Sequence, residues 1–82
     1  MMKARVIVML KSGVLDPQGR AVLGGLHSLG FADVEDVRVG KEIVLSLRDT
    51  QTEDAEKKVK EMCDRLLANP VIEEYRFTLE KA

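Results

Sequence analysis

The chain has 82 residues, with 13 Lys and Arg residues against 14 Asp and Glu residues and a formal net charge of −1. This length leaves room for a single domain over residues 1–82, and the balanced charge excludes the basic field on which nucleic-acid binding depends. The longest apolar run, residues 6–10, is far shorter than the roughly 20 residues of a membrane span, and one cysteine with one histidine cannot build a zinc site. We see no secretory signal and expect a cytoplasmic, reduced protein without nucleic acid, membrane or metal as partners.

The first part of the chain predicts a strand followed by a helix. Residues 3–11 alternate between two faces with a period of two, which is typical of a strand. Asp16 is a good helix N-cap, and the fixed φ of Pro17 suits the first helical position. We therefore expect a helix from residue 17 to about residue 29, closed by Gly30 in a left-handed C-terminal cap. The inward stripe of this helix consists of Val22, Leu26 and Leu29.

Two adjacent glycines stand inside this predicted helix. Gly24 and Gly25 should each cost about 1 kcal/mol relative to alanine. Something must therefore come close to the backbone at this point. The two explanations are tight packing of the helix on the sheet and a close approach by a partner subunit.

The middle of the chain predicts a β-hairpin and a second helix. Residues 34–39 and 42–48 are rich in β-formers and flank the pair Gly40-Lys41, which favours a turn. Thr50 and Glu53 have capping-box spacing and indicate the start of a helix. Its inward stripe consists of Ala55, Val59, Met62 and Leu66, with Cys63 at its edge. Asn69-Pro70 should end this helix, because proline cannot continue it.

Residues 71–79 alternate again and complete the predicted order of elements. This order predicts the α+β class: a two-layer sandwich with a βαββαβ-like antiparallel sheet and two helices on one face. The other face would carry several aliphatic residues, which favours self-association as a homodimer or higher oligomer. The candidates for this uncovered face are Arg5, Ile7, Met9, Val34, Val44 and Ile72, mixed with Arg38, Ser46, Glu74 and Arg76.

The residues predict no catalytic constellation. His27 has no serine, cysteine or aspartate at a spacing that would make it a base, and Cys63 on an apolar stripe reads as a core residue. The N-terminus of the first helix could attract an anion, but Asp16 already occupies that place. RNA-recognition modules share this topology, yet they need aromatic residues on central strands where this chain has aliphatic ones.

Three separated segments together resemble one known family. The segments KSGVLDPQGRAV, VEDVRVGKEIVLSL and EMCDRLLANPVIEEYRFTLE are similar to the PurS family, the small subunit of phosphoribosylformylglycinamidine synthase. The resemblance extends from about residue 3 to residue 80. Ser12 and Glu42 depart from it, because the family commonly has proline at the first position and an aromatic residue at the second.

The resemblance implies a non-catalytic role in de novo purine biosynthesis. The synthase is a ligase that makes formylglycinamidine ribonucleotide from formylglycinamide ribonucleotide, glutamine and ATP. Its active sites are implied to lie on a glutaminase subunit (PurQ) and a large ATP-dependent synthetase subunit (PurL). The small subunit is implied to be a dimer, or a tetramer, that bridges them and supports ammonia transfer. We expect no cofactor on this chain itself, whereas the complex uses ATP and Mg.

The same resemblance implies which residues contact partners. They are Gly13, Val14, Leu15, Asp16, Pro17, Gln18, Gly19, Arg38, Val39, Gly40, Lys41, Asn69 and Pro70. Local folding explains many of them as caps, turns and a helix stop. We expect Asp16→Ala to weaken the fold through lost capping, and Arg38→Ala to weaken complex formation without changing the melting temperature. The main alternative is an ACT-like regulatory module that binds a small ligand, since Gly13-Val14-Leu15 resembles its turn after the first strand.

Overall fold

The computed structural model describes residues 1–48 and 51–81. Within them the chain is α+β, as predicted, with three strands and two α-helices. The elements in chain order are β1 (Met2–Leu10), α1 (Pro17–Ser28), β2 (Lys41–Leu47), α2 (Thr52–Met62) and β3 (Glu73–Lys81). A π-helical turn, Cys63–Leu67, directly continues α2. No helix in the described parts of the chain is long and apolar enough to cross a membrane.

β1 is the central strand of the sheet. The strand order is β2-β1-β3, and both neighbours run antiparallel to β1. Val6 lies opposite Ile43 on one side and Phe77 on the other, so this register aligns apolar residues across all three strands. The predicted alternation in the first and last strands is confirmed.

The core lies on the sheet face that α2 covers, which we call the inner face. Its cluster of buried residues consists of Ala4, Val6, Val8, Val59, Cys63 and Ala68. The first five of them have no exposed surface. Partly buried apolar residues from β2 and β3 pack around this cluster. The opposite face, which carries Arg5, Ile7 and Met9, is called the open face below.

The predicted strand over residues 34–39 does not form, and this part of the hairpin prediction is wrong. The backbone of this segment forms hydrogen bonds with the α1 region instead of pairing in the sheet. The N–H of Val39 donates to the Asp16 carboxylate at 2.9 Å, and the Val34 carbonyl lies 2.7 Å from His27 Nε2. The segment 29–40 therefore returns beside α1, and we call α1 together with this segment the arm. A β-rich composition did not decide the outcome, because the Asp16 carboxylate, 23 positions before Val39, supplied a competing partner for the backbone.

α1 has the predicted start and end. Asp16 caps it by accepting from the N–H of Gly19 at 2.9 Å. At the other end Gly30 has a φ of +97°, and its N–H and that of Phe31 donate back to the carbonyls of His27 and Leu26. These two bonds form a Schellman C-cap.

The stripe of α1 that we expected to face inward is exposed in the single chain. Val22 is 46% exposed and Leu29 is 75% exposed, and no residue of the arm belongs to the core cluster. A Cβ atom on Gly24 or Gly25 would meet nothing within 4 Å. Tight packing of this helix on the chain's own sheet is therefore the wrong explanation for the two glycines.

The end of α2 also departs from the predicted stripe. Ala55 and Val59 are buried as expected, but Leu66 is 82% exposed and Cys63 has no exposed surface. The π-helical turn has more residues per turn than an α-helix, so the inward position after Cys63 falls on Leu67 and Ala68 instead of Leu66. The predicted cap residue Thr50 lies outside the described residues, and Gln51 is the N-cap without a side-chain bond.

Candidate functional site

The three predicted partner-contact segments meet at the Leu10 end of β1. They are the loop and helix start 13–19, the segment 38–41 that leads into β2, and the pair Asn69-Pro70 before β3. We call this region the end cluster. Hydrogen bonds of Asp16, Arg38 and Lys11 tie the segments to one another.

Asp16 joins the helix start to the returning segment. One carboxylate oxygen accepts from the N–H of Gly19, and the other accepts from the N–H of Val39, both at 2.9 Å. These backbone bonds, first that of Val39 and then that of Gly19, lower the pKa of Asp16 below its ordinary value. The residue is only 6% exposed, so it acts on the fold and offers little surface to a partner.

Arg38 holds the loop after β1. Its guanidinium donates to the carbonyls of Leu10 at 3.2 Å, Lys11 at 3.0 Å and Val14 at 3.3 Å. The several N–H donors of the guanidinium can reach three carbonyl oxygens at once, and the single ammonium of a lysine cannot. Arg38 therefore stabilises the loop, a role that the sequence did not reveal, and this geometry predicts a lower melting temperature for Arg38→Ala in place of the unchanged one expected from the sequence.

Asn69 and Pro70 form a turn that closes onto β1. Asn69 Oδ1 accepts from the N–H of Val71 at 3.1 Å, and the Pro70 carbonyl accepts from Lys11 Nζ at 2.7 Å. The N–H of Asn69 donates to the Glu73 carboxylate at 2.7 Å. Lys11 is a residue that sequence reasoning missed, and only its position at the end of an alternating strand could have pointed to it.

All three glycines of the end cluster are required by geometry, and a Cβ on Gly19 would collide with the carbonyl oxygen of Val37. Gly13 has a φ of +88°, which side chains rarely adopt. A Cβ on Gly40 would collide with Met9 Sδ and would lie 2.6 Å from the carbonyl oxygen of Val8.

The surface of the end cluster is concave and open. One depression of about 300 Å³ is lined by Gly13, Val14, Leu15, Asp16, Arg20, Asp36, Val37 and Arg38. A second, of about 230 Å³, is lined by Val8, Leu10, Gln18, Val39, Gly40, Lys41 and Glu73. Leu15, Gln18 and Lys41 are exposed at these depressions, whereas Gly19 is buried. The exposed members are the ones that another chain could contact.

The open face of the sheet carries a charged bridge that the sequence did not predict. Arg5 on β1 pairs with Glu42 on β2 at 3.1 Å and with Glu80 on β3 at 2.9 Å. All three side chains are 41–50% exposed, so this bridge adds little stability. Next to it, Ile7, Met9, Glu74, Tyr75 and Arg76 line a depression of about 350 Å³.

Cys63 and Tyr75, two side chains with acid–base or nucleophilic chemistry, are both engaged in the fold. Cys63 has no exposed surface, and burial raises the pKa of its thiol, which opposes a nucleophilic role. Tyr75 donates to Asp64 at 2.7 Å, and Lys60 donates to the same carboxylate at 3.1 Å, which is a surface network. Among residues 1–48 and 51–81, no three His, Cys, Asp or Glu side chains are grouped to hold a metal ion.

Comparison with known proteins agrees on one family. The family model described as "PurS: Phosphoribosylformylglycinamidine (FGAM) synthase" matches residues 3–81. The synthase subunit PurS of Bacillus subtilis is 49% identical over 99% of this chain and 95% of its own length, and that of Methanocaldococcus jannaschii is 44% identical over 99% and 98%. The solved B. subtilis PurS structure has a TM-score of 0.88 at 49% identity, covering 99% of this chain and all of that one. The structure of PurLQS from Thermotoga maritima has a TM-score of 0.85 at 33% identity, covering 98% and 99%. The chain therefore belongs to the PurS family.

Proposed function

We propose that this chain is the non-catalytic small subunit of FGAM synthase in de novo purine biosynthesis. It joins the glutaminase subunit to the ATP-dependent synthetase subunit and supports passage of ammonia between them. The observation that carries the proposal is the match to the chain in PurLQS from T. maritima, which covers nearly the whole of both chains. An ACT-like regulatory module is not favoured, because the matching family covers residues 3–81.

The end cluster is the surface that we assign to partner contact. Its fold is fixed from within by Asp16 and Arg38, so its exposed residues stand on a rigid base. Leu15 is 65% exposed at the first depression, which it lines together with Arg20 and Asp36. Gln18 and Lys41 add an amide and a positive charge at the second depression of the end cluster. This combination of an apolar residue with polar neighbours suits a protein interface.

ATP and Mg belong to the other subunits in this proposal. The chain contributes structure, and we place it with its partners in the cytoplasm. It acts as a homodimer or tetramer, because a single copy leaves too much apolar surface exposed. Val44 is 47% exposed and Ile72 is 39% exposed, in addition to the residues of α1.

The test is FGAM synthesis by the matching synthetase and glutaminase subunits, with and without this chain. Glutamine is the nitrogen source in one series and ammonium in the other. A coupling subunit should be needed for the glutamine-driven reaction far more than for the ammonium-driven one. If neither reaction responds and no complex forms on a sizing column, the proposed function is wrong.

Two charge-reversal variants test the end cluster in the same assay. Lys41→Glu places a negative charge at the proposed contact, whereas Lys58→Glu makes the same change on the outer side of α2. We expect Lys41→Glu to raise the concentration of the chain needed for half-maximal glutamine-driven activity by about tenfold or more. The new carboxylate would either repel a negative charge on the partner or leave a partner group without its positively charged contact. Lys58→Glu should leave it unchanged. Equal effects of the two variants would remove the end cluster as the contact surface.

A further inference from the structure

The helix formed by α2 and the π-helical turn is one residue longer than its buried positions require. The N–H of Ala68 donates to the carbonyl of Cys63 at 3.0 Å, and these two residues are five positions apart in the chain. In an α-helix the same bond joins residues that are four positions apart. One residue between Cys63 and Ala68 is therefore in excess of a regular helical turn.

Both sides of the π-helical turn are fixed by packing. On the α2 side, Val59 and Cys63 have no exposed surface, and on the other side Ala68 is only 7% exposed. After Ala68 the chain enters the turn at Asn69, whose carbonyl accepts from the N–H of Glu73 at 2.7 Å. Since neither side can shift without uncovering a buried residue, the excess residue must be taken up between them.

The two adjacent leucines of the turn show which side chain the core does not use. At about 100° per residue, a regular helix would place Leu66 about 20° from the direction of Val59 and Leu67 about 80° from it. The structure has the opposite arrangement, because Leu67 packs against the core cluster and Leu66 is 82% exposed. Among the described residues, Leu66 is the most exposed large apolar side chain. The core therefore uses Leu67 and leaves Leu66 out.

The polar contacts of the turn do not depend on Leu66. The hydroxyl of Tyr75 on β3 donates to the Asp64 carboxylate at 2.7 Å, and Lys60 donates to the other oxygen at 3.1 Å. Asp64 directly follows Cys63, so a change of helix type after it moves its side chain little. These bonds attach the start of the turn to β3 ahead of the position of Leu66.

We propose that the π-helical turn is a conformational device that absorbs one residue, Leu66, and carries its side chain to solvent. In a chain without Leu66, the N–H of Ala68 meets the same Cys63 carbonyl four positions back, which is the regular α-helical bond. Leu67 then lies about 20° from the direction of Val59 and keeps its inward place. The helix tolerates the loss of one residue at this point and not within α2. This property of the fold is independent of the proposed function.

Two deletions of one residue each test the proposal on the full chain. Deletion of Leu66 removes the excess residue, whereas deletion of Glu61 shortens the regular part of α2 and turns Val59 by about 100° relative to Cys63. We expect the urea midpoint without Leu66 to lie within about 0.3 M of the wild-type midpoint at the same chain concentration, and the midpoint without Glu61 to be lower by about 1 M or more. A loss of stability without Leu66 as large as that without Glu61 would overturn the proposal.

The variant Leu67→Ala, made in both backgrounds, measures which leucine fills the core. We expect it to lower the urea midpoint by the same amount in the wild-type chain and in the chain without Leu66, because Leu67 has the same place in both. If Leu67→Ala has no effect in the shortened chain, the helix has not kept Leu67 inward and the proposal is wrong.

A measurement on the wild-type chain does not require any variant to fold. Scalar coupling across the hydrogen bond, measured by NMR, identifies the carbonyl that accepts from the Ala68 N–H. We expect coupling to the carbonyl carbon of Cys63 in the wild-type chain, and the same coupling in the chain without Leu66. Coupling to the carbonyl carbon of Asp64 in the wild-type chain would mean a regular helix without an excess residue, which overturns the proposal.

Discussion

At the scale of single residues, Asp16 shows how one buried carboxylate can connect two segments. It accepts from the Gly19 N–H, which is a helix cap, and from the Val39 N–H, which lies 23 positions further along the chain. The first contact follows from local sequence, whereas the second depends on the returning segment. The residue that appeared to be a simple cap is therefore also the tether of the arm.

The lowered pKa of Asp16 gives stability a dependence on pH. The ionised form is favoured in the folded state, so its contribution is present above the ordinary pKa of 3.8 and is lost as pH falls through the lower folded value. We expect Asp16→Asn to melt several degrees below wild type at neutral pH, and this difference to shrink as the pH falls below about 4. Thermal melts at several pH values measure it. A difference that stays constant over this range would contradict the tether.

Arg38 is the second residue whose role depends on tertiary contacts. We expect Arg38→Ala to destabilise the fold by roughly 1–2 kcal/mol, because three backbone carbonyls lose a charged donor. Arg38→Lys should recover only part of this, since one ammonium cannot reach all three oxygens. Chemical denaturation measures both variants. Arg20→Ala, which lines the same depression, is the control and should change stability little; an equal loss there would argue against the specific role of Arg38.

At the scale of elements, the π-helical turn after α2 changes which residues face the core. A regular helix would place Leu66 inward, but the turn gives that position to Leu67 and leaves Leu66 82% exposed. We expect Leu67→Ala to cost roughly 2 kcal/mol and Leu66→Ala less than about 0.5 kcal/mol. Urea unfolding of the two variants measures this difference between adjacent, chemically identical side chains. The opposite order would mean that α2 continues as a regular helix.

The two helices also differ in how far local signals determined them. Asp16-Pro17 and Gly30 set the ends of α1, because a cap, a fixed φ and a left-handed residue act within a few positions of the chain. The burial of α1 does not follow from the same signals. Two residues of its predicted inward stripe, Val22 and Leu29, are exposed in this chain.

At the scale of the whole molecule, the shape of the chain leaves much apolar surface exposed. The molecule measures 48 × 28 × 14 Å, which is a thin slab in which few residues lie far from the surface. In a slab of this thickness only a short list of side chains on β1 and α2 is fully buried. In the homodimer or tetramer that we propose, a second chain removes other apolar residues from water.

This origin of the association predicts its response to salt. At about 1 M sodium chloride the Debye length is about 3 Å, so the exposed pairs of Arg5 with Glu42 and Glu80 are screened. Apolar contacts are not weakened by this change. We expect the chain to sediment as the same oligomer at low and high salt. Dissociation at high salt would show that charge pairs, rather than apolar contacts, hold the copies together.

The sequence by itself determined the features that depend on neighbouring residues. These are the alternation of the first and last strands, the two helices, the capped ends of α1, the α+β class and the resemblance to PurS, which the comparisons confirm. The end cluster was also named from the sequence, because its segments carry local turn and cap signals. Which of its residues contact another chain stays a prediction.

Only the tertiary structure decided how distant segments use their backbone and their apolar surface. Residues 34–39 have strand-forming side chains, yet Asp16 and Arg38 draw them beside α1 instead of into the sheet. Leu66 is an apolar residue of the kind that fills protein cores, yet one π-helical turn directs it to solvent. In both cases a contact between residues far apart, or a small change in helical phase, outweighs a local preference of less than about 1 kcal/mol.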